Sequence, residues 1–147
     1  MKAKDLHAVW SEPDNSRLTA KQFSFRLPVH VAAKLAAIGD MYPNKTRTQI
    51  VGDLLTTAIE EWSSQLPSVK GQFIQTHVEA GCEPVKIFEE VGPIGRYQKL
   101  TNAHFIELEK ELGNESPEPF FGERVFVEEM TQEEVEREAL ARSELGL

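Results

Sequence analysis

A short stretch of strict alternation between apolar and polar residues lies near residue 25. Phe23, Phe25 and Leu27 alternate with polar residues, and a period of two predicts a strand with one buried face. Pro28 ends this pattern, because proline cannot donate to a β-ladder but is well suited to the start of a helix. We therefore predict a strand over 23–27 that leads directly into a helix.

Beyond Pro28 the apolar residues recur at helical spacing. The pattern predicts one helix over 29–42, which Pro43 ends, and a second over 46–66 with Thr46 as its N-cap. The second helix is apolar over a wide arc, formed by Ile50, Val51, Leu54, Leu55, Ala58, Ile59 and Trp62.

These three elements cannot bury their own apolar surface. A lone strand has no hydrogen-bonding partner, and one helix cannot cover both sides of helix 46–66. A second copy related by a twofold axis supplies a partner strand and covers the helices. We therefore expect a homodimer with a two-stranded antiparallel ribbon, whose polar outer face fits the major groove of DNA.

The run Gln22-Phe23-Ser24-Phe25-Arg26-Leu27-Pro28, the two helices and the sequence Thr46-Arg47-Thr48-Gln49-Ile50 resemble the ribbon-helix-helix DNA-binding superfamily. The resemblance covers about 45 of the 147 residues. It implies a repressor that occupies a palindromic operator. It also implies that Gln22, Ser24 and Arg26 contact bases, and that phosphate contacts come from Lys21, Lys45, Thr46, Arg47 and Thr48. Helix N-termini bind anions, which gives the last group a physical basis.

Residues 1–21 form an N-terminal arm in this interpretation. Leu6, Val9 and Trp10 have the spacing of one helical turn that docks on the dimer, and 13–16 have the composition of a loop. Arg17 and Lys21 precede the ribbon, where they either reach flanking phosphates or a minor groove, or are simply solvated.

Charge is unevenly distributed along the chain. Residues 1–70 carry nine Lys/Arg and seven Asp/Glu, a net of +2, whereas residues 71–147 carry seven and seventeen, a net of −10. Such asymmetry is typical of a binding module with an acidic extension. We therefore predict a mainly α fold with short β elements: a ribbon-helix-helix domain over 22–67 and a small acidic α+β extension over 68–147.

The extension has weaker patterns. Apolar runs predict two strands over 73–78 and 85–91, which could pair as a hairpin, with a turn at 92–95 and a further strand over 120–128. Helices are predicted over 102–112, with Thr101 as N-cap, and from Thr131 to about Leu145, where Glu134 completes a capping box. Paired glutamates such as Glu89-Glu90 indicate solvated faces.

The segment Glu90-Val91-Gly92-Pro93-Ile94-Gly95-Arg96-Tyr97 is similar to that of a set of proteobacterial proteins labelled "type 1 pili tip component". A pilus subunit is exported, but the N-terminus lacks the apolar core of a signal peptide and the chain has one cysteine. We therefore expect a cytoplasmic protein that does not associate with a membrane.

Motifs for chemistry are absent from the sequence. The four histidines and Cys82 do not have metal-ligand spacing, and no phosphate loop, nucleophile elbow or dinucleotide fingerprint occurs. We therefore expect no enzyme activity, no metal and no cofactor. The alternative to a repressor is a protein-binding module or antitoxin-like protein whose extension binds a partner, although its many aromatic residues favour a folded extension.

Overall fold

The computed structural model describes residues 1–11 and 17–146, so the loop predicted over 13–16 lies outside the described residues. Helices occupy Leu6–Val9 (α1), Val29–Met41 (α2), Arg47–Ser63 (α3), Pro93–Glu111 (α4) and Gln132–Glu144 (α5). Strands occupy Lys70–His77 (β1), Val85–Glu90 (β2) and Val125–Glu129 (β3), and a 3₁₀ turn covers Ala3–Asp5.

The predicted fold class is wrong. The described chain is a mixed α+β fold, about 49% helix and 13% strand, with a three-stranded antiparallel sheet and no two-stranded ribbon. Residues 22–28 form neither helix nor strand, because a β-strand requires a hydrogen-bonded neighbour and the other strands of the described chain pair among themselves. The sheet has the order β1-β2-β3. All three strands lie within residues 68–147, the region predicted as the extension.

The chain divides into two units. The first contains Met1–Leu66 and His104–Glu118, and the second contains Pro67–Ala103 and Pro119–Leu147. The last part of α4, from His104 onward, therefore belongs to the first unit.

The first unit has a small core made by helices α1, α2 and α3. Leu6, Trp10 and Ile50 are buried at its centre, and Ile50 is only 1% exposed. Leu35, Ile38, Tyr42 and Leu54 pack around these three residues. On α3 only part of the predicted wide apolar arc faces this core: Ile50 and Leu54 lie in it, whereas Leu55, Ile59 and Trp62 are exposed. The predicted helical turn forms over Leu6–Val9, with Trp10 as its C-cap.

The second unit is built on the sheet. Strands β1 and β2 form the predicted hairpin, and β3 pairs antiparallel with β2. Phe73, Phe88 and Phe126 lie opposite one another on the three strands, with edge-to-face ring contacts between neighbours. Aromatic pairs across strands stabilise a sheet beyond their buried area.

Helix α4 begins nine residues before its predicted start. The segment 92–95 was predicted as a turn and Thr101 as an N-cap, but α4 starts at Pro93. Proline suits the first position of a helix because its missing N–H has no helical partner there. Gly95 is accommodated within the helix because its backbone lies against Glu90, where an added Cβ would come 2.8 Å from Glu90 Cγ.

Candidate nucleic-acid interface

The three predicted base-contacting residues are exposed. Gln22, Ser24 and Arg26 lie in the segment 22–28, which has no regular structure. Within the described part of the chain, none of the three takes part in a hydrogen bond or an ion pair. Their polar groups are therefore available to a ligand, and their role as base readers stays a prediction.

The apolar residues of the same segment are also uncovered. Phe23, Phe25 and Leu27 are 60%, 76% and 48% exposed, and Val29 at the start of α2 is 88% exposed. Monomeric proteins rarely expose so many large apolar side chains in one short run. The described chain therefore lacks the contact that would bury this segment.

The beginning of α3 has the local structure that an anion requires. Thr46 is the N-cap: its Oγ1 accepts from the Gln49 N–H at 3.1 Å, and Gln49 Oε1 accepts from the Thr46 N–H at 3.0 Å. This capping box leaves the N–H groups of Arg47 and Thr48 without a partner inside the helix. A phosphate would therefore meet these two N–H groups, while the amide and hydroxyl of Thr46 are already engaged.

Side chains around this helix start add positive charge. Arg47 and Thr48 are exposed, and Lys45 is half-buried in the turn where its N–H donates to the Tyr42 carbonyl at 3.1 Å. The helix dipole also favours an anion here. Adjacency in sequence brings Lys45, Thr46, Arg47 and Thr48 together, whereas no hydrogen bond or ion pair joins Arg26 to them within the described residues.

The predicted phosphate contact at Lys21 is engaged elsewhere. Lys21 Nζ lies 2.8 Å from Glu111 Oε1, and this hydrogen bond raises the pKa of Lys21. Arg17, for which simple solvation was one alternative, pairs with Glu109 at 3.1 Å. In the sequence, Glu109 and Glu111 stand out only as part of the alternating glutamates at 107, 109 and 111. That pattern does not by itself indicate a contact with the distant Arg17 and Lys21.

The start of the chain packs on α3 through polar contacts as well as through Leu6. Trp10 Nε1 donates to Asp53 Oδ2 at 2.7 Å, and the N-terminal amine lies 2.5 Å from Glu60 Oε2. His7 Nδ1 and the Tyr42 hydroxyl are also 2.5 Å apart. The contacts with Asp53 and Glu60 anchor the start of the chain on α3, which carries the candidate phosphate site, and the contact with Tyr42 joins it to the end of α2.

A buried carboxylate in the second unit was missed from the sequence. The side chain of Glu90 is 1% exposed. It accepts from the Ser68 hydroxyl, from the N–H groups of Val69 (2.7 Å) and Gly92 (3.1 Å), and from Arg124 Nε (3.5 Å). Burial by itself raises the pKa of Glu90, but these hydrogen bonds together outweigh it and lower the pKa below 4.5. The prediction of a solvated Glu89-Glu90 pair is therefore wrong for Glu90.

A cavity of about 350 Å³ lies beside Glu90 in the second unit. Its lining combines carboxylates, Glu89, Glu90 and Glu123, with the cations Lys99 and Arg124. Because both charge signs are present and Glu90 is fully engaged with its own donors, this lining does not select one class of ligand.

The chain matches no protein-family model, no curated protein and no solved structure. Across the described residues, no helix is both long and apolar enough to cross a membrane. The same part of the chain contains no group of three or more His, Cys, Asp or Glu that could hold a metal ion.

Proposed function

We propose that this protein is a homodimeric, sequence-specific DNA-binding transcription regulator that represses by occupying a palindromic operator. The observation that carries the proposal is the state of the segment 22–28. It exposes three large apolar side chains and three polar ones that have no partner in the described chain.

The polar side chains of this segment are suited to reading bases. The planar fork of Arg26 matches the two acceptors of a guanine in the major groove, and the Gln22 amide matches an adenine. Ser24 is short, so it allows the backbone to approach the base edges closely. A segment without regular structure becomes ordered when it binds, which lowers its affinity for DNA that offers few contacts.

The beginning of α3 supplies the phosphate contacts. The N–H groups of Arg47 and Thr48 and the charge of Arg47 hold one phosphate, while the half-buried Lys45 lies in the preceding turn. Phosphate contacts fix the position of a protein on the duplex but carry no sequence information. Residues 1–70 have a net charge of only +2, so non-specific affinity is modest.

A second copy buries the apolar surface that one chain leaves open. On α3, Leu55, Ile59 and Trp62 recur at helical spacing and are 50%, 45% and 56% exposed. Isologous dimers bury identical surfaces against each other, so one such stripe on each chain is sufficient. A dimer of this kind matches an operator with two equal half-sites.

Selection of bound fragments from a random DNA pool tests this function. Full-length protein at physiological salt is expected to enrich duplexes that contain two inverted copies of one short sequence. The proposal is wrong if the recovered fragments share no sequence after several rounds, or if the protein retains no DNA.

A protein-binding module or antitoxin-like protein is the second candidate function, and the second unit provides the observation that favours it. Its exposed apolar side chains suit a protein partner: Phe73, Ile74, Phe120, Val127 and Leu140. Hydrogen exchange of the free protein distinguishes a folded protein-binding module from an antitoxin-like protein. Slow exchange across β1–β3 contradicts an antitoxin whose C-terminal region orders only on binding, and it leaves a folded protein-binding module.

A further inference from the structure

Two basic residues of the arm are held by the acidic end of α4. Arg17 Nη1 donates to both carboxylate oxygens of Glu109, at 3.1 and 3.2 Å. Lys21 Nζ pairs with Glu111 Oε1 at 2.8 Å. All four residues belong to the first unit. The arm therefore meets two carboxylates that are separated from it by 90 or more positions in the sequence.

The two sides of this contact differ in how firmly they are fixed. Glu109 is buried and also accepts from Asn114 Nδ2 at 3.2 Å, so the fold holds its carboxylate in place. The side chains of Arg17 and Lys21 are about two-thirds exposed. Glu109 is thus the anchored partner, and the cations are the ones that can leave. Glu111 is less firmly held, since its side chain is 34% exposed, but it is still less exposed than Lys21 at 70%.

DNA offers these cations the same kind of partner that α4 offers. A phosphate oxygen, like a carboxylate oxygen, accepts charge-assisted hydrogen bonds from Arg and Lys. One cation cannot neutralise a phosphate and a carboxylate at full strength together, so the two anions compete for it. Exposed ion pairs are weak and are screened by salt, so DNA is able to displace them.

We propose that the acidic end of α4 is an intramolecular competitor of DNA: Glu109 and Glu111 hold Arg17 and Lys21, which must be released before they contact phosphates. This inference rests on the proposed DNA-binding function and adds its regulation. The contact removes two cations from non-specific binding, where phosphate attraction supplies nearly all the affinity. At an operator this ion-pair contact breaks, because base contacts by Gln22, Ser24 and Arg26 add to the binding free energy.

The double variant Glu109→Gln/Glu111→Gln in the full-length protein tests the competition. Neutral amides keep the shape of the carboxylates but hold the arm less tightly. Affinity for a random duplex is expected to rise about fivefold or more, at the low end of measured couplings between sites. The plot of log affinity against log salt is expected to steepen by about 1.8, since each regained phosphate contact adds about 0.9 to the slope.

A matched control removes the same charge from the same unit without touching the arm. Glu115 and Glu118 are exposed and make no ion pair within the described residues, so Glu115→Gln/Glu118→Gln supplies this control. The competition is confirmed if the first variant gains clearly more affinity than the control. Adding Arg17→Ala and Lys21→Ala to the first variant is expected to abolish the gain.

Release of the arm is measurable without DNA. Trypsin cleaves after Arg and Lys, so cleavage after residues 17 and 21 is expected to be faster in Glu109→Gln/Glu111→Gln than in the control. Equal cleavage rates would show that the carboxylates do not hold the arm, and the inference is then wrong. It is also wrong if the wild type binds DNA and the variant binds no better than the control, an outcome that leaves the proposed function intact. If no version binds DNA, the proposed function fails and the inference fails with it.

Discussion

Glu90 shows how one residue organises the second unit. Its buried carboxylate joins the entry to β1, through Ser68 and Val69, with the turn into α4, through Gly92. A buried charge is tolerated only when hydrogen bonds satisfy it, and here these three donors and Arg124 Nε do so. The backbone of Gly92 must also come close, because an added Cβ would lie 2.7 Å from the Pro67 carbonyl oxygen.

Glu90→Gln is therefore expected to destabilise the protein by about 1–3 kcal/mol, because an amide N–H₂ replaces one acceptor and faces donors that remain buried. The free energy of unfolding from urea titration measures the effect. Glu89→Gln is the control, since Glu89 is the adjacent carboxylate and is exposed. Equal stability of the two variants would contradict the role given to Glu90.

At the scale of single elements, local signals identified most helix and strand positions. Thr46 is the predicted N-cap of α3, and Thr131 with Glu134 forms the predicted capping box of α5, because such caps depend on residues three apart in sequence. The hairpin of β1 and β2 was also predicted correctly. The start of α4 was predicted wrongly, because glycine normally disfavours a helix. Gly95 lies inside α4 because its backbone packs closely against Glu90, a contact that the local sequence does not reveal.

Non-local pairing is what the sequence left undetermined. The strand predicted over 23–27 has a sound alternating pattern, but pattern alone does not supply the neighbour that a strand needs. The partners of Arg17 and Lys21 are likewise distant in sequence, so no local rule connects them with Glu109 and Glu111. The helix start of α3 was predictable because its N-cap depends on residues close in sequence, whereas phosphate binding at this helix start stays a prediction.

Helix α5 is attached to the sheet by an ion pair that responds to acid. Lys86 Nζ lies 2.6 Å from Glu134 Oε1. The hydrogen bond from Lys86 and then that from the Thr131 N–H lower the pKa of Glu134 from 4.5 to about 2. A carboxyl whose pKa is lower in the folded state stabilises the protein above pH 4.5, and this contribution is lost as the pH falls from 4.5 to about 2.

Glu134→Gln is therefore expected to reduce the loss of stability between pH 6 and pH 3. Urea titrations at both pH values measure it, with Glu133→Gln as the control from the same helical turn. If the wild type and Glu134→Gln lose the same stability over this interval, the ion pair does not contribute to folding.

For the molecule as a whole, a substitution in the exposed apolar stripe of α3, formed by Leu55, Ile59 and Trp62, distinguishes a monomer from a dimer. Leu55 is half-exposed in one chain, so Leu55→Lys is harmless if the protein is monomeric. If a second copy covers it, losing about 1.5–3 kcal/mol of apolar burial raises the dissociation constant roughly 10- to 100-fold. Sedimentation of the variant beside Thr56→Lys, an equal charge change at the next position of α3, measures the difference. Identical sedimentation of both variants and the wild type would contradict the dimer.

Under the proposed function, the distribution of charge over the molecule restrains the affinity for DNA. The acid excess lies entirely in residues 71–147, and part of it, at Glu109 and Glu111, is folded against the arm within the first unit. Deleting residues 71–147 would therefore remove part of the first unit together with the charge, so point variants are the appropriate test.

Sequence reading by the segment 22–26 is tested most directly with Arg26→Ala. Arg96→Ala is the control, because Arg96 is an exposed arginine of the second unit. Affinities for a selected operator and for a random duplex are compared across a salt series. Arg26→Ala is expected to lose about 1–3 kcal/mol on the operator and to relax preference at one base pair of each half-site, with the fold unchanged. Unchanged sequence preference in Arg26→Ala, or an equal loss in Arg96→Ala, would contradict base reading by this segment.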